Sequence, residues 1–168
     1  MNLSGRWRDS SGMTLRSLFQ ILLTSKIYGS EFVLGLIYID ANYWIYWFDE
    51  RLPEHNSVNG AMQNAIREGV VVNTVTLMEV AHYLRSLPTR ILNEKIKMIT
   101  SLSTLTLVDF TSSILLSSIN FLSTYSQSGL GGRDCVILAT MKAMNSRELL
   151  THDRAFKKVN GIKVIDEI

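Results

Sequence analysis

The sequence predicts an α/β protein, a three-layer α/β/α sandwich around a mainly parallel central sheet, and three observations carry that expectation. FVLGLIYI at 32–39 is an almost unbroken apolar run of strand length, which suits a central strand buried on both faces. Further strand-length runs recur along the chain, and segments with apolar residues at helical spacing separate them. That alternation pairs strands in parallel and places helices on both faces of the sheet.

The elements follow in order. The first strand stops at Asp40, and NYWIYWF resumes as a short helix opened by Asp40 or Asn42. Pro53 divides it from a second helix carrying Met62 and Ile66, which Gly69 ends. VVVNTV at 70–75 is the second strand. Thr76 and Glu79 then match the Thr-x-x-Glu capping box, so LMEVAHYLRSL is expected as a helix with Glu79 in its first turn. It must stop near Leu87, because Pro88 disfavours helical geometry in the residue before it.

Another helix follows, and Thr104 to Val108 is the third strand. Thr111 can cap a helix expected to bury Ile114, Leu115, Phe121, Leu122 and Tyr125. SQSGLGG at 126–132 is the one real loop. From Arg133 to Met144 a helix presents Ile137, Met141 and Met144 on one face, with Gly131 and Gly132 just ahead of it. ELLT, a short helix near Arg154 to Val159, and IKVI complete the pattern.

With 168 residues, 46% hydrophobic and 19% charged, the chain can bury one sizeable core but is short for two domains. Residues 32–168 are expected as the domain and 1–31 as an N-terminal extension. The lone Cys135 permits no internal disulfide, and no Cys/His spacing argues for zinc, which fits a reducing cytoplasm. Arg6, Arg8, Arg16 and Lys26 against Asp9 give the first thirty residues +3, so the remainder carries −1. Composition alone therefore gives little reason to expect nucleic acid. A local excess of base remains between Arg133 and Lys163. Leu15, Leu18, Phe19, Leu22 and Leu23 recur at helical spacing behind basic residues, yet the run is too broken for a signal sequence or membrane span. A docking helix, a membrane-surface helix and an upstream extension before a later start all fit it.

Four acids stand where chemistry would be placed. In open parallel sheets, ligands bind beyond the carboxyl ends of the strands. Asp40 and Asp153 each follow a strand, while Glu79 and Asp134 open helices that lead away from that edge. Singly, each has a structural use as a helix cap or a partner of a helix N-terminus. Together they repel, at roughly 4 kcal/mol for two charges about 4 Å apart in an effective dielectric of 20. Raised pKa values or a bound cation must relieve such a cluster. All-carboxylate ligation suits magnesium or manganese.

YIDANYWIYWFDE at 38–50, TVTLMEVAHYL at 74–84, GLGGRDCVILATM at 129–141 and LLTHDRAF at 149–156 resemble, in order, the four motifs of the PIN domain family. The resemblance runs from about Phe32 to the end. It implies a PIN-like fold and a metal-dependent endoribonuclease, similar in size to VapC-type toxins of toxin–antitoxin pairs. It places the metal-binding and catalytic quartet on Asp40, Glu79, Asp134 and Asp153. Asn42 and Thr151 match polar positions that would orient the ligands. Arg133, Arg154, Lys157 and Lys158 become candidate RNA phosphate contacts. An antitoxin protein and a homodimer are the implied partners, with Mg2+ or Mn2+ as cofactor. Two features depart from the pattern: Cys135 stands where a small alanine is common, and residues 1–31 have no counterpart.

Other signals are weaker. GLGGRD lacks the third glycine of a dinucleotide loop and follows a helix. Glu79 and His82 form a single Glu-x-x-His, where di-iron bundles need two. Tyr43, Trp44, Tyr46 and Trp47 suit a core or dimer interface better than base stacking. The rival readings are a housekeeping RNA-processing nuclease with the same chemistry, and a non-catalytic binding module in which the acids only cap helices.

Overall fold

The structure is a computed structural model, and it describes residues 35–125 and 127–168. The amphipathic stretch at 15–23, residues 32–34 of the first apolar run and the extension boundary at residue 31 lie outside them. Strand β1 (Ile37–Ile39) is wholly buried, as its composition requires. It leads into helix α1 (Ala41–Phe48), capped by Asp40, and then α2 (His55–Glu68). Gly69 ends α2 at φ +139°, a conformation that strains any side chain, and turns the chain into β2 (Val70–Asn73).

Helix α3 (Thr74–Tyr83) starts three residues earlier than the sequence suggests. Asn73 is its cap, with the side chain accepting from Val75 N at 2.8 Å. Asparagine is the stronger capping residue, and Thr76 is occupied elsewhere, its hydroxyl 2.8 Å from Tyr38 OH. Glu79 consequently lies in the second turn of α3, and the expected capping box does not form. A 3-10 turn (Leu84–Ser86) closes the helix ahead of Pro88. Then come α4 (Thr89–Thr100), β3 (Leu105–Val108), α5 (Ser112–Thr124) and α6 (Gly132–Ala143). Strand β4 (Glu148–Leu150), a 3-10 helix (Arg154–Lys158) and β5 (Lys163–Ile165) finish the chain.

All pairings are parallel and the strand order is β3-β2-β1-β4-β5. From β1 the chain steps outward to β3, then returns across the sheet to β4 on the other side of β1. Right-handed crossovers in opposite directions put α1 to α4 on one face and α5 with α6 on the other. The packing agrees, since α1 touches α2 and α3 while α5 lies along α6. Tyr38, Val71 and Leu149 face Ile137, Leu138 and Met141 of α6 in the buried core. Tyr43, Trp44, Trp47 and Phe48 are buried too, which makes the aromatic helix α1 a core element.

The burial of α5 is narrower than expected. Ile114 and Ser118 are buried and Phe121 and Tyr125 partly so, a single stripe against α6. Leu115 and Leu122 are 43% and 42% exposed, correcting their assignment to the core. Apolar residues cover more of this helix than one neighbour can bury. Among the described residues, no helix is long and apolar enough to cross a membrane.

Candidate active site

The chain reverses its direction of travel at the β1/β4 boundary, which is where a parallel sheet opens a crevice at its carboxyl edge. Asp40 stands there, with its N–H donating to Leu150 O of β4 at 3.0 Å. Its carboxylate is buried and satisfied on both oxygens. Ala41 N donates to Oδ1 at 2.6 Å, while Thr151 Oγ1 and Asn42 Nδ2 each donate to Oδ2 at 2.7 Å. Thr151 also receives Asp153 N–H at 3.1 Å, so the two acids after β1 and β4 are joined through one hydroxyl.

Asp134 is the third residue of α6, and its Oδ2 accepts Gly131 N–H at 2.6 Å. Glu79 is paired with Arg133 across the gap between α3 and α6. Asp153 is exposed and caps the final 3-10 helix through Ala155 N. Asp40 and Asp153 thus follow adjacent strand ends and Asp134 opens α6, while Glu79 comes from the second turn of α3; electrostatic repulsion links Asp40 to Glu79 and Asp134, and Asp134 to Asp153. Burial raises Asp40 to about 6 against the pull of Thr151 and Ala41, and the charges of Glu79 and Asp134 push it the same way. Glu79 is raised by burial and by Asp134, with Arg133 opposing. Asp134 is raised by burial and by Asp153, opposed by Gly131 N–H and Arg133.

Beneath these acids lies a buried network that sequence reading missed. Tyr38 OH accepts Asn73 N–H at 3.2 Å and bonds Thr76, tying β1 to β2 and α3. Asn73 Nδ2 donates to Thr140 Oγ1 of α6 at 3.1 Å. The available signal was a tyrosine inside an apolar strand, two residues before the first acid and therefore on the same side of the sheet.

Among the described residues, no group of three acids, histidines or cysteines is arranged to hold a metal ion as it stands. The donor chemistry nonetheless fits a hard divalent cation, being all oxygen, with burial raising three of the four acids. Asn42 Oδ1 is a further oxygen beside Asp40, buried with no hydrogen-bond partner among the described residues. Of the basic candidates, Arg133 is at the acids and Arg154 is exposed next to Asp153. Lys157 binds Asp166, and Lys158 binds Ser128 O. His152, beside Asp153, lies 2.9 Å from Asp166 Oδ1.

Residues 37–162 match the sequence profile of the PIN domain. Among solved structures, the fold is similar to VapBC2 from Rickettsia felis bound to a DNA fragment from their promoter. That match has 17% identity and a TM-score of 0.60, over 78% of this chain and 98% of that one. It is also similar to Mycobacterium tuberculosis VapC20, a sarcin-ricin loop cleaving toxin, at 14% identity and a TM-score of 0.65 over 75% and 96% of the two chains. FitAcB from Neisseria gonorrhoeae matches at 18% identity and a TM-score of 0.60 over 77% and 96%. No curated protein sequence is a significant match.

Proposed function

The chain belongs to the PIN domain family, and from that premise we infer that it is a metal-dependent endoribonuclease hydrolysing RNA phosphodiester bonds, acting as the toxin of a toxin–antitoxin pair. What supports the reading is that Asp40 and Asp153 are joined through the Thr151 hydroxyl at the sheet's switch point, with two further acids, Glu79 and Asp134, adding to the burial that raises Asp40. These four would hold magnesium or manganese. Such an ion supplies positive charge against the negative charge that develops during phosphoryl transfer.

The protein's own residues prepare the site. Thr151 and Asn42 fix the Asp40 carboxylate from one side, leaving its orientation no freedom to drift. Gly131 N–H and the N-terminus of α6 hold Asp134 against the repulsion of its neighbours. Arg133 and Arg154 bring positive charge to the same edge for an RNA phosphate. The toxin reading is supported by the resemblance in fold to VapBC and FitAcB structures and by an apolar surface beside the acids. A groove of about 610 Å³ runs between α5 and the α6 N-terminus, lined by Phe110, Leu115, Ile119 and Leu122 and ending at Arg133 and Asp134. An antitoxin or a second copy of the chain would cover it.

The Asp134→Asn variant tests the assignment, because asparagine can still accept Gly131 N–H and keep the helix start. RNA cleavage in magnesium or manganese should be abolished while thermal unfolding is retained. Undiminished cleavage would overturn the reading.

A further inference from the structure

Arg133 joins two parts of the site that have opposite needs. It lies in the first turn of α6 beside Asp134, and its guanidinium Nη1 crosses to Glu79 Oε1 on α3. The partners differ in environment: the Arg133 side chain is 73% exposed and that of Glu79 21%. A cation standing in water is held weakly, because solvent and salt screen it. A carboxylate largely withdrawn from water needs a positive partner of some kind. Arg133 also acts on Asp134, so a single guanidinium offsets two of the four acids. Its planar fork suits phosphate as well as carboxylate.

We propose that Arg133 is a built-in placeholder for the divalent ion: it holds Glu79 until the ion displaces it, and the released guanidinium then takes a phosphate of the RNA. The proposal rests on the metal-nuclease reading and adds its regulation. The ion and the arginine compete for one carboxylate, so the site binds metal less tightly than its acids alone would allow. RNA and arginine are partners, so RNA draws Arg133 away from Glu79 and strengthens metal binding. Linkage makes the effect reciprocal, and metal strengthens RNA binding by the same factor. A purely structural pair between α3 and α6 would couple nothing.

The test uses the full chain and the variants Arg133→Gln and Arg133→Lys, which an exposed position should tolerate without loss of fold. Manganese binding is measured by isothermal titration calorimetry without RNA. Binding of a short single-stranded RNA is measured by fluorescence anisotropy in calcium. Arg133→Gln should bind manganese about fivefold more tightly and RNA about fivefold more weakly, the lower end of typical coupling. Arg133→Lys, which keeps the charge without the fork, should fall between. Manganese binding to the wild type that is unchanged or weakened in Arg133→Gln overturns the placeholder and leaves the metal site standing. Tighter manganese with unaltered RNA affinity overturns the phosphate half. Absence of manganese binding in every protein removes both this proposal and the nuclease reading.

Discussion

The Thr151 hydroxyl donates to Asp40 Oδ2 at 2.7 Å, across 111 residues of chain and between two adjacent strand ends. The same oxygen accepts from Asp153 N and, at 3.2 Å, from Asn42 Nδ2. One hydroxyl therefore fixes a buried carboxylate and the backbone of a second acid. Thr151→Val keeps the shape but leaves the Asp153 N–H without its acceptor and Asp40 with one donor fewer. We expect a loss of about 1–3 kcal/mol in urea unfolding at neutral pH and weaker manganese binding, with Thr151→Ser close to wild type. Equal manganese affinity in the valine variant would show that Thr151 does not orient the site.

The acids also give the metal-free protein a distinctive pH dependence. Asp40 is raised from its usual 3.8 to about 6, chiefly by burial, and Glu79 and Asp134 move in the same direction for the same main reason. A carboxyl raised in the folded state favours folding while it is protonated, and that contribution is lost as pH rises through the folded value. For Asp40 the loss between about pH 4 and 7 is on the order of 3 kcal/mol. Asp49 and Asp166 act oppositely. Arg51 holds Asp49 down, and at Asp166 the bonds from His152 and Lys157 outweigh the burial that would raise it. Their support is present above the ordinary carboxylate range and disappears in stronger acid. Without metal, the melting temperature should thus peak in mild acid and decline toward pH 7. Manganese should restore it at pH 7, and Asp40→Asn should flatten the decline and blunt the restoration. A metal-free melting temperature that climbs from pH 4.5 to 7 would contradict this account.

Asp40, Asp134 and Asp153 were legible as local features, because each ends an apolar run or opens a helix, whereas Glu79 lies a turn further into α3 than its spacing from Thr76 suggests. Asp40 and Thr111 cap their helices as their residue types require. The start of α3 was not legible, because two capping residues, Asn73 and Thr76, stand three apart. The choice between them depends on Tyr38, which lies 38 residues before Thr76 and bonds its hydroxyl. Periodicity likewise marked α5 as amphipathic without showing how much of it one neighbour covers, so Leu115 and Leu122 were misplaced. The pairing of Arg133 with Glu79 joins two helices 54 residues apart, and no spacing rule reaches that far. What escaped the sequence is in each case set by which elements meet once the sheet has closed.

Tyr38 is the residue in which that dependence is concentrated. Its ring belongs to the core under α6, and its hydroxyl meets Thr76 of α3 and the N–H of Asn73, whose side chain reaches Thr140 of α6. Burial raises the phenol well above its usual range, with Asp40 and Glu79 adding to the effect against the bonds from Thr76 and Asn73. The hydroxyl is therefore neutral at any working pH and acts by geometry alone. Removing it in Tyr38→Phe leaves a buried N–H and a buried hydroxyl short of a partner, at a cost of about 1–3 kcal/mol. Because Glu79 is carried by α3 and Asp134 by α6, the same change should loosen both helices relative to Asp40 and weaken manganese binding measured by calorimetry. A stability loss with unchanged manganese affinity would confine Tyr38 to the core and separate the buried network from the site above it.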